Sequence, residues 1–210
     1  MALNSPHGKV FTVAFVWGSD DHETGKSYLA KIAALANSVT NTVASNTIAG
    51  FLQYLKTVVP AHAHGSIETI SIREFTPEAI VIMARNIEKM PWTGGTAFSI
   101  HELRGPSAAP KSESVFGSRE PHKVLEIMKT VAKKIDLKES EDWADTFMEE
   151  LRKMDPKNLL PGTYISLTPP GSNSFANIFG TNYEPLLEMK RKYDPEGVFG
   201  LAQPEVNNLN

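Results

Sequence analysis

The chain has 210 residues, of which 41% are hydrophobic and 21% charged, with a formal net charge of -3 and no cysteine. This composition predicts one globular domain, residues 1–210, and excludes collagen-like and disordered chains. The acidic balance supplies no positive field for nucleic acid or anionic lipid, and the absence of cysteine excludes disulfides and thiolate metal sites. Since no apolar run approaches the length of a membrane span or signal peptide, we expect a cytoplasmic protein.

The first half of the chain contains signals for two strands and two helices. Residues 9–17 are mostly β-branched, aromatic or small and predict a buried strand. Apolar residues at three-to-four spacing from residue 28 predict a helix, and residues 48–58 predict a second one. Strict alternation over 67–75 is typical of a strand with one solvated face.

The second half contains a longer series of elements. Thr76 and Pro77 are the residue types preferred at a helix N-cap and in a first helical turn. The same periodicities predict the later elements: strands over 96–103, 115–116, 123–128 and 164–167, a loop over 105–112, and helices over 139–154 and 183–192. Strands and helices are interspersed without the Gly-rich turn of a nucleotide-binding βαβ unit. The pattern therefore predicts an α+β fold, a mainly antiparallel sheet with helices packed on one face.

Two segments carry denser motifs. Residues 178–199 contain Phe179-Gly180, Asn182-Tyr183 and Lys192-Tyr193-Asp194-Pro195, followed by Phe199. This segment resembles the C-terminal tail of berberine-bridge-type FAD-linked oxidoreductases, and we place the resemblance at 176–204. A second block, residues 98–105 with 113–119, is similar to a strand and an Arg-containing segment of that family.

The resemblance implies the substrate-binding domain of this family, a curved antiparallel sheet with helices behind it. In the family, a separate flavin domain carries a Gly-rich pyrophosphate loop and a histidine that fixes FAD covalently. Neither pattern occurs in this sequence, and residues 200–204 replace the Asn-containing segment with which the family tail approaches the flavin. We therefore expect no cofactor in this chain, and FAD only if a separate flavin-bearing chain is present.

Two apparent ligand motifs have simpler explanations. Gly25-Lys26-Ser27 follows the first predicted strand, but the preceding loop is acidic and would repel a phosphate, so we expect a plain helix start. His62 and His64 could share a face of an extended segment, but no third metal ligand is identifiable. We predict neither a phosphate loop nor a metal site.

The best catalytic candidates lie on the predicted sheet. Alternation places Ser99 and His101 on one face of their strand, where an imidazole could act as a general acid or base and Ser99 could bind substrate. Glu126 lies in the middle of an apolar strand, where a lone carboxylate is costly. The resemblance implies a catalytic base on this sheet. The alternatives are a structural histidine and a Glu126 paired with Arg119 or Lys129.

Other candidates are polar residues near the predicted site. Tyr164 and Ser166 share one face of the late predicted strand and could donate hydrogen bonds to a substrate carbonyl. We count Tyr164 with His101 and Glu126 as catalytic candidates. The substrate-binding candidates are Ser99, Arg119, Ser166, Asn182 and Tyr183.

Three functions are open. The first is a cofactor-independent cyclase or isomerase of secondary metabolism that orients a small hydrophobic metabolite, since orientation alone lowers such barriers. The second is the substrate-binding part of a split or truncated FAD-linked oxidoreductase, because hydride transfer needs an acceptor. The third is a non-catalytic binding module. A homodimer through the exposed sheet face is a possible assembly.

Overall fold

The computed structural model describes residues 1–58, 62–109, 119–169 and 171–199. Within these ranges the chain forms one six-stranded antiparallel sheet in the order β2-β1-β4-β5-β3-β6. The strands are β1 Ala2–Ser5, β2 Gly8–Phe11, β3 His64–Ile72, β4 Ala97–Leu103, β5 His122–Val131 and β6 Leu159–Leu160. The helices are α1 His22–Ala33, α2 Ile48–Val58, α3 Pro77–Lys89, α4 Leu137–Arg152, α5 Phe175–Phe179 and α6 Tyr183–Tyr193. The predicted α+β class is confirmed.

The core lies between one face of the sheet and the helix pair α3–α4. Helix α4 packs on β5 and β3, and α3 packs on α4. Phe147 of α4 lies against Phe98 of β4 and Trp143, with ring centroids 5.2 and 5.7 Å away. The remaining members are aliphatic or sulfur-containing: Ala2, Ile70, Ile72, Ala79, Ile82, Met83, Met90, Leu125, Ile127, Ala144, Met148, Leu151 and Met154. Burial of this surface is the main stabilising term of the fold.

The start of α3 follows the sequence prediction closely. The Thr76 side chain accepts a hydrogen bond from the Ala79 backbone N–H at 3.2 Å, and Pro77 occupies the first turn. The cap satisfies one of the helix's unpaired donors, and the proline loses nothing there.

Polar bonds fix α3 against α4. The Trp143 indole N–H donates to the Asn86 carbonyl at 2.8 Å, and Glu150 accepts from both the Asn86 amide and the Arg85 guanidinium. The hydrogen bond from Asn86, then that from Arg85, lowers the pKa of the Glu150 carboxyl. The two helices therefore have a defined register as well as an apolar contact.

Lys129 of β5 points toward the helices. Its ammonium donates to Glu68 of β3 and to Asp145 of α4, the latter at 3.1 Å. Burial alone would lower the pKa of Lys129, but the hydrogen bonds to the two carboxylates outweigh it and raise that pKa. Lys129 therefore belongs to the helix-covered face and is not the partner of Glu126.

The N-terminal prediction is wrong in its boundaries. Instead of one buried strand over 9–17, the chain forms the hairpin β1–β2, and the buried residue is Ala2, which pairs with Phe98. Strand β2 is at the sheet edge, and Phe11, Val13 and Val16 are exposed. The apolar run has the composition of a core strand, but an edge position leaves it solvated.

Helices α1 and α2 form where they are predicted but do not bury their apolar stripes. Tyr28, Leu35 and Ile48 are exposed. In α1 the contact is local, because the Trp17 ring stacks on Tyr28 at 5.6 Å and packs over Gly25. Among the described residues, no helix has the length and apolar character needed to cross a membrane.

The late part of the chain differs from its prediction in one element. Residues 164–167 form a 3-10 turn at Ile165–Leu167, and the sixth strand is β6, a few residues earlier. The predicted loop over 105–112 begins with a 3-10 turn at Gly105–Ala108. Apart from the predicted strands over 9–17 and 164–167, the strand and helix centres are confirmed, and the predicted strand at 115–116 lies outside the described residues.

Candidate functional site

The face of the sheet opposite α3 and α4, which we call the second face, carries several polar residues of the central strands. The register aligns Ser99 of β4, Glu126 of β5 and Thr69 of β3 in one row across the sheet. The next row holds His101, Val124 and Ser71. Because side chains alternate along a strand, these residues share one face while Leu125 and Ile127 point into the core.

His101 and Glu126 are in direct contact. His101 Nε2 lies 2.8 Å from Glu126 Oε2, with side-chain exposures of 53% for the histidine and 6% for the glutamate. The two residues are on neighbouring strands and one row apart, which brings the imidazole diagonally over the carboxylate. The pair therefore connects a buried carboxylate with solvent.

This arrangement is expensive for folding. A carboxylate that is removed from water loses several kcal/mol of hydration free energy. One ion pair with good geometry restores a free energy of about the same size. Glu126 is nonetheless held in the middle of β5 between the apolar residues Leu125 and Ile127.

The segment 163–168, which we call the strap, crosses the second face beside Glu126. The Tyr164 backbone N–H donates to Thr69 Oγ1 at 3.0 Å, and Thr69 Oγ1 lies 2.9 Å from Thr168 Oγ1. Thr69 is buried although its strand has helices only on its other face. The strap therefore covers the β3 side of the row that contains Glu126.

The other predicted site residues take different positions. Ser99 is half-buried opposite Glu126, and Arg119 is half-buried just before β5. Tyr164 is brought close through its backbone, but its side chain is exposed, and Ser166 is exposed on the 3-10 turn. The reasoning that put these two on one strand face is wrong, because no strand forms there.

Asn182 and Tyr183 lie at the start of α6. The Tyr183 ring stacks on Phe175 of α5 at 6.5 Å, and both residues are half-buried. In the described part of the chain, no recorded contact joins them to Glu126. Their assignment as substrate-binding residues stays a prediction.

Sequence reasoning missed Thr69, Thr163 and Thr168. Thr69 and Thr168 hold the strap on the sheet, and the Thr163 hydroxyl is buried without a hydrogen-bond partner among the described residues. Thr69 could have been noticed as the polar member of the alternating run over 67–75. Its closeness to residue 168 depends on long-range packing that no local pattern carries.

The two rejected ligand motifs have ordinary structures. The Asp21 side chain accepts from the Thr24 backbone N–H and caps α1, so Gly25-Lys26-Ser27 lies inside the helix, and Lys26 bonds Glu23 at 2.7 Å. His64 begins β3 and is exposed. Over the ranges the structure describes, no three His, Cys, Asp or Glu side chains cluster as metal ligands would.

The tail motif has a structural account centred on Asp194. Its carboxylate accepts from the Val198 and Phe199 backbone N–H groups at 2.7 and 3.2 Å and from the Lys190 ammonium. The Phe199 side chain, which follows this turn, is exposed. Asp194 forms the turn that ends α6.

The Asp194 turn predicts a pH dependence. The pKa of Asp194 is lowered, chiefly by the hydrogen bond from Lys190. Burial opposes this shift, and the hydrogen bonds from the Phe199 and Val198 N–H groups add to it. A lowered folded-state pKa stabilises the turn above the usual value of about 4 and loses that effect as pH falls through the folded-state pKa. We expect Val198 and Phe199 amide exchange, corrected for its intrinsic pH dependence, to lose protection in that acidic range. Asp194→Ala should lack this step, and an unchanged step would contradict the account.

Comparison with known proteins agrees with the motifs. A family model described as berberine and berberine like matches residues 172–204. The chain is 24% identical over 196 residues to the FAD-linked oxidoreductase aurO of Gibberella zeae. The aligned region covers 91% of this chain and 38% of that protein. The predicted resemblance is confirmed, by the family model over the tail and by the relative over most of the chain. The chain spans well under half the length of this relative.

Proposed function

We propose that this chain is the substrate-binding part of an FAD-linked oxidoreductase, and that Glu126 and His101 form its proton-accepting pair. The proposal is supported by the similarity to a FAD-linked oxidoreductase along most of the chain. The observation that carries it is the 2.8 Å contact between the buried Glu126 carboxylate and the half-exposed His101 imidazole. The substrate class is a small hydrophobic metabolite with an acidic hydroxyl group.

The pair provides a simple proton path. The substrate O–H bond breaks, its electron pair stays on the substrate oxygen, and the proton is taken by the Glu126 carboxylate. His101, hydrogen-bonded to that carboxylate, can pass the proton on to solvent through its exposed ring. We propose that Ser99, which pairs with Glu126 across the strands, donates a hydrogen bond to the substrate oxygen.

Flavin binding is not assigned to the described residues. The one Gly-Lys-Ser segment lies within α1 and its lysine is paired with Glu23, so it does not fit a pyrophosphate. A bound flavin would supply the hydride acceptor of an oxidoreductase. No step proposed for this chain involves that group.

The proton-accepting role can be tested with 2-naphthol, whose excited state gives its hydroxyl proton to a nearby acceptor and then emits as naphtholate. We expect naphtholate emission from the probe bound to the wild-type protein and a decrease of roughly tenfold or more in Glu126→Gln. Glu102→Gln is the matched control, because Glu102 is on β4 beside His101 but faces the other way. Naphtholate emission that is unchanged in Glu126→Gln would contradict the proposal.

Stability separates this role from a structural one. If Glu126 is retained for function, Glu126→Gln removes a desolvated charge and should leave the melting temperature unchanged or raise it. A melting temperature lowered by several degrees would instead assign the His101 contact to folding. Thermal denaturation followed by circular dichroism makes this measurement on the same samples.

A flavin-independent cyclase or isomerase is the second candidate. It is supported by the Glu126–His101 contact, because the proton transfer proposed for that pair needs no cofactor. The visible absorption spectrum of the purified protein with and without added FAD distinguishes the two, because a bound flavin band contradicts the flavin-independent function. The homodimer through the sheet face and the non-catalytic binding module stay predictions.

A further inference from the structure

The hydrogen bonds of the strap form a closed ring through Thr69. Thr168 Oγ1 donates to the Tyr164 carbonyl at 2.9 Å, and the Tyr164 N–H donates to Thr69 Oγ1 at 3.0 Å. A threonine hydroxyl has one hydrogen. The two threonine hydroxyl oxygens lie 2.9 Å apart, and either hydroxyl can be the donor of that contact.

This ring uses both backbone polar groups of Tyr164. Its N–H is bound by Thr69, and its carbonyl accepts from Thr168 and from the Leu167 N–H at 2.9 Å. Within the described residues, the hydrogen bonds that join the strap to β3 all involve the buried Thr69 hydroxyl group. An unmade bond there would leave a buried donor unsatisfied, which is the costly case for hydrogen bonding.

The ring also lies beside Glu126. Thr69 is the cross-strand partner of Glu126, on the same face of the sheet. Its hydroxyl oxygen contacts the Tyr164 N–H and Thr168 Oγ1, and among the described residues no hydrogen bond joins it to the Glu126 carboxylate. The ring therefore fixes the strap beside Glu126. None of its hydrogen bonds occupies the Glu126 carboxylate oxygens, which accept the proton in the proposed reaction.

We propose that Thr69 is a positioning residue, which fixes the strap as one wall of the substrate site beside Glu126. The part of this proposal that concerns the substrate rests on the proposed function, because it assumes that Glu126 contacts the substrate. Thr69 does not touch the reacting atoms. It acts through Tyr164 and Thr168.

The test compares Thr69→Val, which keeps the shape of the side chain, with Thr69→Ser, which keeps the hydroxyl group. Ser71→Ala is the matched control, because Ser71 is buried on the same face of β3, one alternation along. Amide exchange measured by NMR should be about tenfold faster at Tyr164 in Thr69→Val, restored in Thr69→Ser, and unchanged in Ser71→Ala.

The second readout is the binding of 2-naphthol. Thr69→Val should bind the probe about tenfold more weakly, while the naphtholate share of the bound probe stays at the wild-type value. Tyr164 exchange that is unaffected by Thr69→Val, or a loss not rescued by Thr69→Ser, would overturn the inference. If wild-type protein leaves 2-naphthol unbound, the proposed function fails, and the exchange data alone decide whether Thr69 holds the strap.

Discussion

Replacing Phe147 with alanine is expected to lower the free energy of unfolding by about 3–5 kcal/mol. The Phe147 side chain is 0% exposed and fills the space between α4 and the sheet. Its ring contacts Phe98 and Trp143, so the substitution removes apolar surface and leaves a cavity that these rings cannot fully close. Urea unfolding followed by circular dichroism gives the change directly.

Phe11→Ala is the matched control for this measurement. Phe11 is 69% exposed on the edge strand β2, so the same deletion of a ring should change the free energy of unfolding by no more than about 0.5 kcal/mol. Equal losses in the two variants would mean that the core does not lie between α4 and the sheet.

A second large loss is expected for Gly65→Ala, about 3 kcal/mol. Gly65 has φ +113°, a conformation that a side chain disfavours by about 1–2 kcal/mol. An added Cβ would also lie 2.0 Å from the Lys129 carbonyl oxygen, so that the backbone of β3 or β5 would have to shift. Since these are central strands, the shift would disturb the ladder itself.

Gly8→Ala separates the two contributions. Gly8 has φ +97° in the β1–β2 turn, but nothing lies within 4 Å of an added Cβ. We expect a loss of about 1–2 kcal/mol, the conformational part alone. A loss at Gly65 no larger than that at Gly8 would show that the close approach to Lys129 costs nothing.

The elements with complete local signals could be predicted from the sequence. Helix α3 has a capping threonine, a proline in its first turn and a periodic apolar face, and α4 has a stripe containing Trp143, Phe147 and Leu151. Each of these signals acts within one or two turns. Their agreement with one another made the prediction specific.

The candidate site could be predicted only in part. Alternation along β4 and the cost of a carboxylate within β5 single out His101 and Glu126, but nothing in the sequence states that the two strands are neighbours. That they meet at 2.8 Å depends on the register of β4 against β5. The strap was beyond prediction for the same reason, since Thr69 and Thr168 are far apart in the sequence and their hydrogen bond forms only in the folded chain.

The N-terminal segment shows the limit of composition. Residues 9–17 are as apolar as a core strand, yet only the part up to Phe11 is in a strand, and it is the outermost one. Whether an apolar segment is buried depends on which other element of the fold packs against it. Ala2, in a stretch that gives no strand signal, is the residue that reaches the core.

The order of the strands has a consequence for chain entropy. Strands β4 and β5 pair across a connection of about 20 residues. The pairings of β1 with β4 and of β3 with β6 each span about 90 residues. Because the entropy cost of closing a loop grows with the logarithm of its length, each long closure costs roughly 1 kcal/mol more than the short one. These two costly closures are also the shortest pairings, at Ala2 and Leu3 and at Ser71 and Ile72. The β1–β2 hairpin and β6 are therefore each attached to the central strands by two residue pairs, whereas β4, β5 and β3 are joined by long ladders.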